Sequence, residues 1–232
     1  MDDRRILSAG TGDLPANVAL IAEEFASGFA VVDRIPEPAV TIFGSARIDE
    51  RHEIYARARE TARLFAERGF AVVTGGGGGV MEAANRGAQE GGGLSVGFNI
   101  ELPHEQAPNR YIDLLHTFGH FYSRKTMLVK AAEGFVLFPG GFGTMDEMFE
   151  ALTLIQTGKV QNFPVVLFGS ARWAGLLDWV RERLLAEGMV APDDVELLHV
   201  TDDPEDAVAT IAVCYDRRGA EVPAEPFKED AA

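Results

Sequence analysis

The chain has 232 residues, 47% of them hydrophobic, which is enough for one large α/β domain with a full core. It carries 36 Asp and Glu against 21 Lys and Arg, a net charge of −15. That balance disfavours sequence-independent binding to DNA or RNA, which rests on Lys and Arg neutralising phosphates. The single cysteine, Cys214, can form no intramolecular disulfide, and the apolar run Ile211–Tyr215 around it predicts a core position. Met1-Asp2-Asp3-Arg4-Arg5 is followed by no long apolar stretch, so neither a signal peptide nor a membrane span is expected. No nucleic-acid or membrane partner is expected, and the predicted location is cytoplasmic.

In chain order, residues 1–12 are expected to be disordered. Asp13–Arg34 predicts a helix, with Leu14, Val18, Ile21, Phe25 and Phe29 at helical spacing. Short β-branched runs then alternate with Gly-rich turns and amphipathic helices. The strands are Ala39–Phe43, Phe70–Thr74, Leu94–Phe98, Ile112–Thr117, Phe135–Phe138, Pro164–Phe168 and Leu197–Val200. The helices are Glu50–Arg68, the segment from Gly79 to Glu90, Gly119–Glu133, the segment from Thr144 to Gln156, Trp173–Glu187 and Pro204–Tyr215. A frayed tail is expected over residues 219–232, leaving one domain over 13–218. Alternating strands and helices mean βαβ units and a parallel sheet covered on both faces. Ligands of such sheets sit beyond the carboxyl ends of the strands. The turns on that edge are Gly44-Ser45, Gly75–Gly79, Leu102–Asn109 and Pro139–Thr144.

Two of these turns are glycine-rich and open a helix. Bare backbone N–H groups and the positive helix end can meet an anion there. Neither is a standard nucleotide fingerprint. Gly79-Val80-Met81 lacks the Gly-Lys-Ser/Thr of a Walker loop, and the sixth position of a G-x-G-x-x-G match falls on Val80 or Asp146. For Gly75–Gly79, a tight packing turn and a ligand contact weigh about equally; Pro139–Thr144 is read as an anion site. Beyond it, Met145, Met148, Phe149, Leu152 and Ile155 form one apolar stripe, while Thr144 and Glu147, three apart, share another face. Glu147 is then a carboxylate one turn deeper than an anion site, although on these residues alone a solvated glutamate stabilising the helix start is the stronger reading. Upstream, Arg124-Lys125 is a cationic pair in an acidic chain. Five histidines form no H-E-x-x-H or comparable cluster, so no metal and no cofactor is expected.

Ser123-Arg124-Lys125, then Pro139-Gly140-Gly141-Phe142-Gly143-Thr144, then Glu147 resemble the Arg-Lys and P-G-G-x-G-T-x-x-E motifs of the LOG ("lonely guy") family. Its members are cytokinin riboside 5′-monophosphate phosphoribohydrolases, and bacterial ones were often labelled lysine decarboxylases. The resemblance runs from about Thr41 to Asp206 and takes in Gly44-Ser45, Val80-Met81 and Glu150-Ala151-Leu152-Thr153. It implies a Rossmann-like, doubly wound parallel sheet with helices on both faces, preceded here by an extra N-terminal helix. It also implies a homodimer or higher homo-oligomer with its site near the interface, and a role in cytokinin biosynthesis. The implied reaction is hydrolysis of the N-glycosidic bond of adenine-type nucleoside 5′-monophosphates, either AMP or a cytokinin riboside monophosphate, to free base and ribose 5-phosphate. Carried over by motif, Arg124 and Glu147 match the catalytic pair. Gly140, Gly141, Phe142, Gly143 and Thr144 match the phosphate loop. Lys125, Thr153 and Glu105 match nucleotide contacts, and the other turns add Gly44, Ser45, Gly76 and Gly77. The chain departs from the plant-type H-x-R-K motif at Tyr122 and has Gly78 where a polar or small residue is commoner.

Cleavage of such a bond passes through an oxocarbenium-like transition state. Glu147 would supply negative charge beside the ribose and orient water. Arg124, always protonated, would orient Glu147 or donate to the ribose or base. The alternative is a non-catalytic purine nucleotide-binding protein of the same fold, which has no need of Glu147. Lysine decarboxylation needs a Schiff-base lysine for pyridoxal phosphate, and Lys125, Lys130 and Lys159 all read as helix-surface residues.

Overall fold

A computed structural model describes residues 14–35, 38–102 and 107–221. Helix α1 (Leu14–Val32) precedes β1 (Ala39–Phe43), α2 (Glu53–Glu67), β2 (Ala71–Thr74), α3 (Val80–Glu90), β3 (Ser95–Ile100) and β4 (Leu114–Phe118). Then follow α4 (Phe121–Lys130), β5 (Phe135–Leu137), α5 (Phe142–Gln156), β6 (Val165–Phe168) and α6 (Ser170–Trp179), which runs on as π turns over Val180–Leu185. A short α7 (Pro192–Val195), β7 (Leu198–Thr201) and α8 (Pro204–Glu221) complete the order.

The seven strands form one all-parallel sheet in the order β4-β3-β2-β1-β5-β6-β7. This is the parallel sheet covered on both faces that the strand–helix alternation predicts, wound in the Rossmann-like way that the family resemblance implies. Strand residues alternate between two cores. Phe43, Val73, Phe98, Phe135 and Leu137 face α1, α4, α5 and α6, together with Met127, Met148 and Trp173. Val40, Ile42, Val72, Val136 and Val166 face α2, α3 and α8, together with Phe65, Ala84 and Ile211. Burial on both faces explains why the strands read as continuous apolar runs. The winding reverses between β1 and β5, and at such a point the loops part to leave a crevice.

Several boundaries differ from the sequence reading for local reasons. Helix α2 starts at Glu53 because His52 is its cap, its Nδ1 accepting from the Ile54 N–H at 3.1 Å. Strand β3 reaches Ile100 because it pairs with β4 as far as Phe118. The predicted helix Trp173–Glu187 begins at Ser170, where Asp202 accepts from the Ser170 N–H at 2.8 Å. It then loosens: the Ala186 N–H bonds to the Arg181 carbonyl five residues back. Helix α8 continues to Glu221, past its predicted end at Tyr215 and into the tail predicted to fray from Gly219. Cys214 is half-buried rather than in the core, because α8 turns Ile211 and Ala212 inward instead; its thiol meets the Asn162 carbonyl at 3.2 Å. The predicted disorder of residues 1–12 and the site residue Glu105 lie outside the described residues.

Candidate active site

Three loops are tied together at the reversal point. After β1, the Ser45 N–H donates to the Pro139 carbonyl at 3.1 Å. The Val80 N–H, opening α3, donates to the Ser45 carbonyl at 3.0 Å. Gly79 makes that approach possible: its φ is +64°, and a Cβ there would lie 2.3 Å from the Ser45 oxygen. Around these loops opens a cleft of about 630 Å³, lined among others by Gly44, Ser45, Arg124 and the run Gly140–Glu147. The expected phosphate loop is shorter than its motif. Gly141 caps α5, so Phe142, Gly143 and Thr144 form the first helical turn. The N–H groups of Phe142 and Gly143 have no intrahelical acceptor, and they stand at the positive end of α5 beside the cleft. Thr144 is buried, and a Cβ on Gly140 would lie 2.0 Å from its hydroxyl oxygen. The hydroxyl therefore occupies the space that only a glycine leaves.

One turn deeper lies Glu147, 6% exposed, whose Oε2 has no hydrogen-bond partner among the described residues. Burial pushes its carboxyl up to about 7, helped by the negative charge of Glu150 and Asp146 and opposed by Lys125 and Arg124. An acid tuned to neutrality in a cleft is a common mark of a working group. Arg124 forms the facing wall. Its Nε donates to the Phe98 carbonyl at 2.7 Å, and a terminal nitrogen donates to the Gly75 carbonyl at 3.3 Å. Burial lowers its pKa and the charge of Glu147 opposes that, but arginine stays protonated at neutral pH regardless. The two side chains share the cleft without a direct ion pair among the described residues.

Of the residues chosen from the sequence, Gly44, Ser45, Arg124, Gly140, Gly141, Phe142, Gly143, Thr144 and Glu147 meet at this cleft. Four do not. The Lys125 ammonium bridges Asp146 at 2.9 Å and Glu150 at 2.7 Å, joining α4 to α5. Thr153 lines a separate apolar cavity of about 150 Å³ behind α5, and its hydroxyl donates to the Phe149 carbonyl. Gly76 and Gly77 turn their carbonyls to the Asn109 amide, at 3.2 and 2.9 Å. That latch anchors the glycine turn to the segment before β4. Sequence reasoning missed Arg47, Met81, Phe121 and Asp146, which also line the cleft. Arg47 was findable as a cation two residues past Ser45 on the ligand edge of an acidic chain. Phe121 and Phe142 were not, because apolar residues at helix starts read as packing; Phe142 is 95% exposed. None of Lys125, Lys130 and Lys159 lines the cleft. Among the described residues no group of three His, Cys, Asp or Glu could hold a metal.

Residues 81–211 match the profile of a family described as "Possible lysine decarboxylase". The cytokinin riboside 5′-monophosphate phosphoribohydrolase of Mycobacterium tuberculosis is 31% identical over 162 residues, covering 69% of this chain and 86% of that protein. The enzyme of the same name from Rhodococcoides fascians is 30% identical over 183 residues, covering 76% and 90%. Among solved structures, the molybdenum cofactor carrier protein of Chlamydomonas reinhardtii superposes with a TM-score of 0.60 at 24% identity, covering 78% of this chain and 99% of the other, a likeness of fold alone. The motifs at the cleft, the profile match and these relatives agree, and the chain belongs to the LOG family of phosphoribohydrolases.

Proposed function

We propose that this protein hydrolyses the N-glycosidic bond of adenine-type nucleoside 5′-monophosphates, AMP or a cytokinin riboside monophosphate, to free base and ribose 5-phosphate. One observation carries the reading: a buried, unpartnered carboxylate oxygen lies one turn below a helix N-terminus that opens into a cleft. The first turn of α5, with Gly140–Thr144, receives the phosphate, and Arg47 adds a cation beside it. Glu147 then stands where charge develops on the ribose and holds the attacking water. Arg124, its Nε already committed to a carbonyl, turns its remaining donors to the ribose or base. The phosphate, remote from the bond broken, anchors the sugar and contributes binding energy.

Because Gly76 and Gly77 are latched away from the cleft, they support the site from behind. Lys125 acts by holding α5 and lowering the Glu147 pKa. The family relationship supports a homodimer, and so do Phe121 and Phe142, exposed at the cleft. A cytoplasmic location and a place in cytokinin biosynthesis complete the proposal. The test is chromatography of products after incubation with AMP, GMP, CMP, N6-isopentenyl-AMP and the matching nucleosides. Base release from adenine-type monophosphates but poorly from nucleosides is expected. Equal cleavage of adenosine and AMP would contradict the phosphate loop. Tight nucleotide binding without base release over hours would make the protein a carrier.

A further inference from the structure

Helix α4 brings Arg124 to the cleft, and its start is tied from outside through Gly119, His120 and the Ser123 side chain. Its own cap residue, His120, makes no side-chain cap bond and is 2% exposed. The acceptor comes from Glu24 on α1. One carboxylate oxygen accepts from the Gly119 N–H at 2.9 Å and meets Nδ1 of His120 at 3.0 Å; the other accepts from the Ser123 hydroxyl at 2.6 Å. Burial raises the Glu24 pKa, but the bonds from Ser123, His120 and Gly119 outweigh it and hold the carboxyl below its ordinary value. An ionised carboxylate at this place also meets the positive end of α4.

Helix α1 is closely seated. At Gly28, which is buried, a Cβ would come 2.9 Å from the Met127 side chain of α4 and 3.1 Å from Phe118 of β4. One turn into α4, the Arg124 N–H bonds back to the His120 carbonyl at 3.3 Å. Gly119, His120, Ser123 and Arg124 therefore lie on one bonded turn, and the Phe98 and Gly75 carbonyls hold the far end of the guanidinium.

We propose that Glu24 is a positioning residue for Arg124: through it, α1 clamps the first turn of α4 and fixes the guanidinium on the cleft wall. The kinetic consequence rests on the phosphoribohydrolase reading, whereas the clamp itself does not. The full chain is compared with Glu24→Ala, Glu24→Gln and, as a control on the same helix, Ser27→Ala. Ser27 bonds the Glu24 carbonyl and His116 but not α4. In Glu24→Ala, hydrogen exchange at the Arg124 Nε–H, followed by NMR, is expected to quicken by about tenfold or more. In Glu24→Gln, whose one amide oxygen can still accept from the Gly119 N–H while its NH2 donates to the Ser123 hydroxyl, which turns its own proton to the His120 carbonyl, exchange should stay within about threefold. With AMP, Glu24→Ala should lower kcat by about tenfold or more while KM moves less than about threefold, and Glu24→Gln should restore most of kcat. Unchanged Arg124 exchange in Glu24→Ala would overturn the clamp, as would equal losses in Ser27→Ala at a matched fall in Tm. If the wild-type protein releases base from no nucleotide, the proposed reaction fails, and the exchange data alone decide the clamp.

Discussion

Glu147 concentrates the chemistry that the cleft can offer. Its carboxyl is buried and titrates near 7, so both protonation states are populated at neutral pH. If the ionised form holds the water, kcat/KM should rise with pH through about 7, and that limb should vanish in Glu147→Gln with a loss in turnover on the order of 100-fold. The same shift has a stability signature. Between the unfolded value of 4.5 and about 7, the folded protein keeps a proton that the unfolded chain has released. Stability from this group is thus full below pH 4.5 and is lost as pH rises through 7. Glu147→Gln should flatten that fall and stabilise the protein at pH 8 by on the order of 3 kcal/mol. Thermal unfolding from pH 5 to 8 measures it; a variant less stable than wild type at pH 8 would mean that Glu147 is held by partners rather than strained by burial.

At the scale of elements, the site depends on how tightly three turns approach one another. Gly140 is the sharpest case, since a methyl group would meet both the Thr144 side chain and, at 3.1 Å, the carbonyl carbon of Gly44. Backbone cannot yield cheaply there, so the first turn of α5 must shift. Gly140→Ala is expected to weaken AMP binding by about tenfold or more, equivalent to about 1.4 kcal/mol, while changing adenosine binding less. Calorimetric titration with both ligands checks this; equal losses would show that the turn serves the base or ribose instead. The glycine turn after β2 behaves differently. There half-buried Asn109 bonds the buried pair Asn85 and Thr74, with Asn85 also bonding Ser95. These bonds hold the turn, so Gly76 and Gly77 lie behind the cleft and do not line it.

For the whole molecule, the net charge of −15 opposes the compact state. Surface ion pairs such as Arg59 with Glu90 and Arg86 with Glu90 pull the other way. Each is worth at most ~1 kcal/mol and is screened by the same salt. The excess of carboxylates outnumbers such pairs, so repulsion should win. Raising NaCl from about 10 to about 200 mM is expected to raise Tm by about 2–4 °C, the effect of ~1 kcal/mol on a chain of this size. A falling Tm would mean that the ion-pair network dominates. The acidic field also makes a local anion site depend on backbone N–H groups and on the few cations placed at the cleft.

Read alone, the sequence determined the sheet class, the order of the strands and the longer helices, and the grouping of Arg124, Glu147 and the Gly140–Thr144 turn, which line one cleft. These rest on local periodicity and on motifs whose parts lie close along the chain. Helix ends escaped where a side chain chose them, as His52 did for α2. The π turns over Val180–Leu185 escaped because their bonding leaves no spacing of its own in the residues. Only the tertiary structure decided which of the chosen residues face the cleft. Lys125 turns to two carboxylates, Thr153 faces the far side of α5, and Gly76 and Gly77 are held by Asn109, each through a partner distant in sequence. It also brought Arg47 and Phe121 to the cleft and set Glu24, from the first helix, against the turn that carries Arg124. Such contacts follow from how the sheet folds back on itself between β1 and β5, and residue spacing does not encode them.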